Sequence, residues 1–368
     1  MSITLKNAEK TYDSHVVLHD VSFSLNEGNK VVVIGENGAG KSTLLKLLLD
    51  EDELTHGQRI TSGYVTISSV GQEFPREVLE RNLTGEQYSL EHGGDSVLRT
   101  TKRVMEEFGL STDFLTFPLQ SLSGGQRKIV DLSIAFAERS DYLLLDEPEN
   151  HIDIIARQSL IAMLNDYRGG LVFVSHDQNL INSVTNRIVE IEDGELTAYK
   201  GNYEFYLEEK ARQEAGRRHE WQTHQRKVEQ LDKLIKRMRV WVQVNPDLGA
   251  QLRARKTQLR HLEENAPEKP KIHKRAKIST NEVELNRSKR ILLADHFSLR
   301  RGTIELFKNL SLSLFFGQKV ALIGRNGTGK TSFLKAMTGE ISHEGVLKVG
   351  VNVKVGYFSQ EAADTLDP

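Results

Sequence analysis

The chain has 368 residues, 38% of them apolar and 27% charged, a formal net charge of −2 and no cysteine. These values suit a folded globular protein long enough for two domains and a connector, and the missing thiols exclude disulfides and cysteine-based zinc or iron–sulfur sites. The N-terminal stretch MSITLKNAEKTYDSH lacks the apolar core of a signal peptide, and apolar runs such as 31–34 and 47–49 are far too short to span a bilayer, so a cytoplasmic protein with no membrane contact is expected.

The first strong element is the apolar strand KVVVI at 30–34, followed by GENGAGKS from Gly35 to Ser42 and then a helix-forming run. Strand, glycine-rich loop and helix are the context a phosphate-binding loop requires, which predicts an α/β fold. Gly35, Asn37, Gly38, Gly40, Lys41, Ser42 and Thr43 are its candidate nucleotide-binding residues. The glycines let backbone N–H groups curl round phosphates, Lys41 reaches the outer phosphates, and the Ser42 hydroxyl can ligate Mg2+.

Further along, DYLLLDEPEN at 141–150 is a wholly apolar strand ending in two carboxylates, which places both at the carboxyl edge of a buried sheet. Neighbouring residues of an extended chain face opposite ways, so Asp146 is expected to serve the metal and Glu147 to act as general base on the attacking water. LVFVSHD at 171–177 is a second apolar strand, ending at His176, which is placed to orient the γ-phosphate or the water.

Between Glu208 and Lys277 the chain carries 19 Lys and Arg against 10 Asp and Glu, a net +9, leaving −11 on the remainder. Within that segment Val228, Leu231, Ile235, Met238 and Val242 recur at helical spacing, NPDLG at 245–249 breaks the run, and Leu252, Leu259 and Leu262 resume it. Two antiparallel helices with a narrow apolar seam and a basic outer face are predicted. The proline-containing stretch at 264–277 then reads as an extended return or linker.

The beginning of the chain recurs near its end. VVVIGENGAGKSTLLKLLL aligns with VALIGRNGTGKTSFLKAM at an offset of 289, which carries Lys41 onto Lys330, and SVGQE meets YFSQE at an offset of 288. Gly324, Asn326, Gly327, Gly329, Lys330, Thr331 and Ser332 therefore form a second candidate phosphate loop, with Thr331 in the metal-ligating place. The expected organisation is a first domain over 1–207, a basic helical connector over 208–284 and the opening part of a second domain over 285–368. Repeat arithmetic maps Pro368 to about position 80 of the first copy, so that roughly 125 residues of the second domain are expected beyond it.

LSGGQ at Leu122 to Gln126, together with the P-loop, the DEP strand and SHD, resembles the signature pattern of ATP-binding cassette (ABC) ATPases. The resemblance implies that Tyr12 stacks on adenine and that Gln72 links the metal to domain motion, with Gln360 its counterpart in the second copy. It implies also that Asp153 is a D-loop aspartate, and that Ser123, Gly124, Gly125 and Gln126 contact the γ-phosphate held by an opposed cassette. Glu149 stands where the family more often has threonine, and Arg301 stands where the first copy has Tyr12. YKGNYEFYLEEK at 199–210, leading into a basic hairpin and a second cassette, is similar to the ABC-F family. That family implies a twin-cassette ATPase on the ribosomal tRNA exit site, with the hairpin reaching P-site tRNA and rRNA, in translation control or protection against antibiotics. The alternative is an ATPase subunit docking on separate membrane subunits of a transporter. The interval of 51 residues from Gln72 to Ser123 leaves little room for an added helical arm. Because the second copy's acidic strand and signature are not in the sequence, poor hydrolysis and a homodimer of first domains are expected.

Overall fold

A computed structural model describes residues 1–244, 248–267, 269, 290–301, 304–324, 328–351 and 353–358. In chain order the first body contains β1 (Ser2–Tyr12), β2 (His15–Asn26), β3 (Lys30–Gly35), α1 (Lys41–Leu49), β4 (His56–Ser62) and β5 (Ile67–Val70). Four helices follow, α2 (Arg76–Glu80), α3 (Gly85–Glu91), α4 (Gly94–Glu107) and α5 (Gly124–Ala137), and the body closes with β6 (Tyr142–Asp146), α6 (Ile154–Asp166), β7 (Gly170–Val174), α7 (Gln178–Val184), β8 (Arg187–Glu192) and β9 (Glu195–Lys200).

Six strands form one sheet in the order β5-β6-β7-β3-β8-β9, parallel except for the β8–β9 pair, and a separate antiparallel sheet runs β2-β1-β4. The central strands are apolar on both faces because both faces are covered. Val32, Ile34, Leu143, Leu145, Leu171 and Phe173 enter a core shared with α4 to α7, whereas Val31, Val33, Tyr142, Leu144, Val172 and Val174 enter one shared with α1, β1 and β2. Each such fully buried side chain contributes about 1.5–3 kcal/mol. This α/β architecture agrees with the sequence expectation, and it opens the carboxyl ends of β3, β5, β6 and β7 on one edge.

The connector is α8 (Tyr203–Val244), a single 42-residue helix, packed against α9 (Gly249–Glu264). Leu231, Ile235 and Met238 are buried along the predicted seam, and His224 Nε2 lies 2.8 Å from the Leu262 carbonyl. The first turns of α8 are seated on the first body. Glu190 of β8 is buried and accepts the Tyr206 hydroxyl at 2.7 Å and the Tyr199 hydroxyl at 3.4 Å, while the Lys210 ammonium pairs with it. Burial and the Glu190 carboxylate push the Tyr206 hydroxyl well above its ordinary value.

The last elements are β10 (Arg290–Arg301), β11 (Ile304–Phe315), α10 (Lys330–Met337) and β12 (Glu344–Val349), with strand order β11-β10-β12 matching β2-β1-β4. Left-handed residues recur at the repeat offset: Asn7 and Asp20 at φ 46° and 48°, His296 and Asn309 at 46° and 52°. One feature does not recur. Residues 319–324, the copy of β3, form no strand, and Val320, Leu322 and Ile323 are exposed where Val31, Val33 and Ile34 are buried. Among the described residues this segment has no parallel neighbours, and an apolar run becomes a strand only when others pair with it. Residues 245–247 of the predicted break, most of the predicted linker at 268–289, the Arg301 side chain, Asn326, Gly327 and Gln360 lie outside the described residues.

Tyr206→Phe removes a donor from the buried Glu190 carboxylate and is expected to destabilise the first body by about 1–3 kcal/mol, seen as a lower urea midpoint.

Candidate functional site

The loop after β3 depends on two glycines. Gly35 and Gly40 have φ of 156° and 101°, and a Cβ on Gly35 would lie 2.5 Å from the Ile191 carbonyl oxygen. Lys41 opens α1 and is buried; its ammonium donates to the carbonyls of Gly35 and Glu36, both at 2.9 Å. Burial lowers its pKa, and the nearby Glu147 and Asp146 carboxylates oppose that shift.

Ser42 donates its hydroxyl to Asp146 Oδ2 at 2.7 Å, which joins the P-loop helix to the end of β6. Glu147 follows in a left-handed conformation (φ 45°). Its N–H bonds to the Val174 carbonyl at 3.0 Å, which ties it to the end of β7. Its Oε2 accepts from Gln72 Nε2 at 3.1 Å and from Asn150 Nδ2 at 2.5 Å, while His176 Nε2 lies 3.9 Å from Oε1. Gln72 and His176 thus both meet the carboxylate of Glu147, the predicted general base. A cavity of about 380 Å³ gathers Asn37, Gly38, Gly40, Lys41, Ser42, Thr43, Gln72, Asp146 and Glu147. It can hold a phosphate chain against an ammonium and the N-terminus of α1. Among the described residues no cluster of three or more acidic or histidine side chains could hold a metal alone. The adjacent Ser42 hydroxyl and Asp146 carboxylate do fit Mg2+, which takes few protein oxygens and completes its shell with phosphate and water.

The signature lies elsewhere. Ser123 caps α5 and Gln126 closes the capping box, Ser123 N–H donating to Gln126 Oε1 at 2.9 Å and Gln126 N–H to Ser123 Oγ at 3.3 Å. Ser123, Gly124 and Gly125 line a second, larger cavity of about 850 Å³, and Gln72 lines both. Tyr12 lines neither cavity but lies beside Thr43 of the smaller one, its exposed ring under the Lys10 ammonium and its hydroxyl donated to Asp52. Asp153 caps α6, accepting from the N–H groups of Ile155 and Ala156 at 3.0 and 2.9 Å. In the second copy Lys330 donates to the Gly324 carbonyl at 2.7 Å, and Gly329 (φ 94°) precedes α10, which begins Lys330, Thr331, Ser332.

Several residues were not singled out from the sequence. Asn150, which holds Glu147, carried a weak signal in its spacing of three. Lys128 carried none: buried on α5, it donates to the carbonyls of Gly71 at 2.8 Å and Asp146 at 3.1 Å, linking the signature helix to the Gln72 loop and β6. One turn further on, burial pushes the Asp131 carboxyl up to about 7, opposed by Lys128 and His92 and reinforced by Glu138.

With the geometry in place, comparison with known proteins assigns the chain. The ABC transporter family model matches residues 18–150 and 307–366, and a second model of the same description matches residues 189–279. YfmR of Bacillus subtilis (strain 168), an uncharacterized ABC transporter ATP-binding protein, is 29% identical over 402 residues, covering 98% of this chain and 61% of that protein. The energy-dependent translational throttle protein EttA of Mycobacterium tuberculosis (strain ATCC 25618 / H37Rv) is 30% identical over 407 residues, covering 99% and 70%. The ribosome protection protein VmlR of B. subtilis (strain 168) is 29% identical over 384 residues, covering 98% and 66%. The chain belongs to the ABC-F family of ATP-binding cassette proteins, and its second cassette region is partial. It spans about three fifths of the length of the first relatives it matches. No helix among the described residues is long and apolar enough to cross a membrane.

A carboxyl whose folded pKa is raised holds its proton more tightly folded than unfolded. The stability this contributes at Asp131 is complete below pH 3.8 and is lost as pH rises through about 7. Asp131→Asn is expected to flatten the fall in urea midpoint over that window, as measured at steps of pH.

Proposed function

We propose that this chain is the ATP-hydrolysing part of a protein that binds the ribosome at the tRNA exit site and acts in translation regulation or in protection against antibiotics. The organisation that goes with this reading is a first cassette over 1–207, a basic linker over 208–284 and a second cassette region over 285–368. The observation that carries hydrolysis is the convergence of Gln72, Asn150 and His176 on Glu147, beside the Ser42–Asp146 contact.

In this reading Lys41 leaves the carbonyls of its own loop for the outer phosphates, and the N–H groups of the loop hold the phosphate chain. Ser42 and Asp146 hold Mg2+, which neutralises phosphate charge when bound. Glu147 takes the proton of the attacking water. Gln72 and Asn150 both donate to Oε2, so Oε1 is left facing His176 and the water. Tyr12 stacks on adenine, and Ser123 to Gln126 cap the γ-phosphate of an opposed cassette, supplied by the same chain or a second copy. Gly324, Lys330, Thr331 and Ser332 repeat the phosphate cradle.

The ribosomal part is supported by the α8–α9 arm, by the excess of positive charge between Glu208 and Lys277, and by relatives named for translational throttling and ribosome protection. A basic projecting helix pair beside acidic bodies suits an RNA phosphate surface. In electrostatic terms the arm is the contact to rRNA and P-site tRNA, and it is rooted on β8, next to the P-loop strand.

Glu147→Gln is expected to lower ATP turnover by at least about 100-fold, keep nucleotide affinity and raise the ribosome-bound fraction in ATP, a fraction that falls steeply with added salt. Sedimentation through a sucrose cushion with purified ribosomes and with membrane vesicles measures it. Recovery with the vesicles, and none with the ribosomes, would replace this reading with that of a transporter subunit.

A further inference from the structure

We propose that Glu149 is the positioning residue of His176, a buried carboxylate that fixes the turn after β7 and so sets the imidazole against Glu147. The catalytic consequence rests on the hydrolytic reading above. Glu149 is only 6% exposed. Its Oε1 accepts the Ser175 hydroxyl at 2.6 Å and the His176 N–H at 3.1 Å. Ser175 Oγ in turn accepts the Asp177 N–H at 3.0 Å. Asp177 then caps α7 through the N–H groups of Asn179 and Leu180, at 2.8 and 3.1 Å, and pairs with Arg157 at 2.6 Å. The N–H groups of residues 176 and 177 are thereby both fixed.

The His176 side chain is 57% exposed, with Glu147 at 3.9 Å as its ionic neighbour, so the place of its ring is set by its backbone. Glu149 sits two residues beyond Glu147 on the same turn, and Asn150, the next residue, holds the Glu147 carboxylate. One four-residue stretch therefore carries the proton acceptor, the group that orients it and the clamp on the histidine opposite.

Stability alone does not account for a carboxylate here. Glu149 Oε2 is buried and has no hydrogen-bond partner, and a half-satisfied buried charge is costly to keep. Lys128, buried in the wall of the signature cavity that Glu149 also lines, supplies compensating positive charge. What the carboxylate provides is one oxygen that accepts two hydrogens with the added strength of a charged acceptor.

The test compares Glu149→Leu and Glu149→Gln in the full chain, each also in a His176→Ala background. Glu149→Leu is expected to lower kcat for ATP by about tenfold or more with KM unchanged, because a positioning group acts on the transition state rather than on binding. The glutamine carbonyl accepts the same two hydrogens, so Glu149→Gln should recover kcat to within about threefold of the parent. Without His176 the leucine change should cost nothing further. Equal losses in both backgrounds would overturn the proposal. Independently of turnover, exchange of the His176 amide hydrogen should quicken by at least about tenfold in Glu149→Leu and much less in Glu149→Gln. Unchanged exchange overturns the clamp. A parent chain without turnover, but with exchange altered as expected, removes the hydrolytic reading and leaves the clamp standing. Should Glu149→Leu fail to fold, Ser175→Ala deletes one donor of the same clamp and takes its place in both measurements.

Discussion

The parallel pairing of β3 between β7 and β8 is the constraint on which the other features depend. Its register sets Val33 opposite Val174 and Ile34 opposite Glu190. The phosphate loop therefore leaves the sheet beside the strand that delivers His176 and beside the residue that seats α8. β6, paired to the far side of β7, brings Asp146 to the same edge, where its carboxylate receives the Ser42 hydroxyl. With the strands in this order, loop, metal-type ligands and acceptor carboxylate converge without long reach from any side chain.

The charges taken out of water lie at joints between elements rather than in the middle of the apolar cores. Glu190 joins β8 to the base of α8, Lys128 joins α5 to the Gln72 loop and the end of β6, and Glu149 joins the turn after β6 to the turn after β7. Burial of such groups costs free energy that apolar contacts would not, and hydrogen bonding recovers part of it. What they add is a defined relation between segments that would otherwise slide, since apolar packing is far less directional. Through them the nucleotide edge touches both the signature helix and the arm.

The two copies of the P-loop sequence show how much of a strand is tertiary. Both loops place a lysine ammonium on the carbonyl of their first glycine and end in a left-handed glycine before a helix. These are local properties, set by residues within six positions of one another. The strand before the loop differs between the copies, because a strand's hydrogen bonds and burial come from elsewhere in the chain.

The sequence alone determined the cassette type, the two phosphate loops and the seam of the α8–α9 arm, since each is written in short-range spacing or in a repeat; the direct contact of Ser42 with Asp146, 104 positions apart, is not. Lys41 and Ser42 were legible from the glycine-rich loop after an apolar strand, Asp146, Glu147 and His176 from apolar strands that end in polar residues, and Gln72 only through the resemblance to the ABC ATPase pattern. Only the tertiary structure decided that the signature and the P-loop of the first body line separate cavities, that Tyr12 is held by Asp52, and that Asp153 caps a helix. It alone gave Glu149, Lys128 and Glu190 their roles. Each of the three bonds to residues between 9 and 57 positions away. Sequence spacing carries no record of such contacts, because the sheet order that brings the partners together is settled only when all the strands are paired.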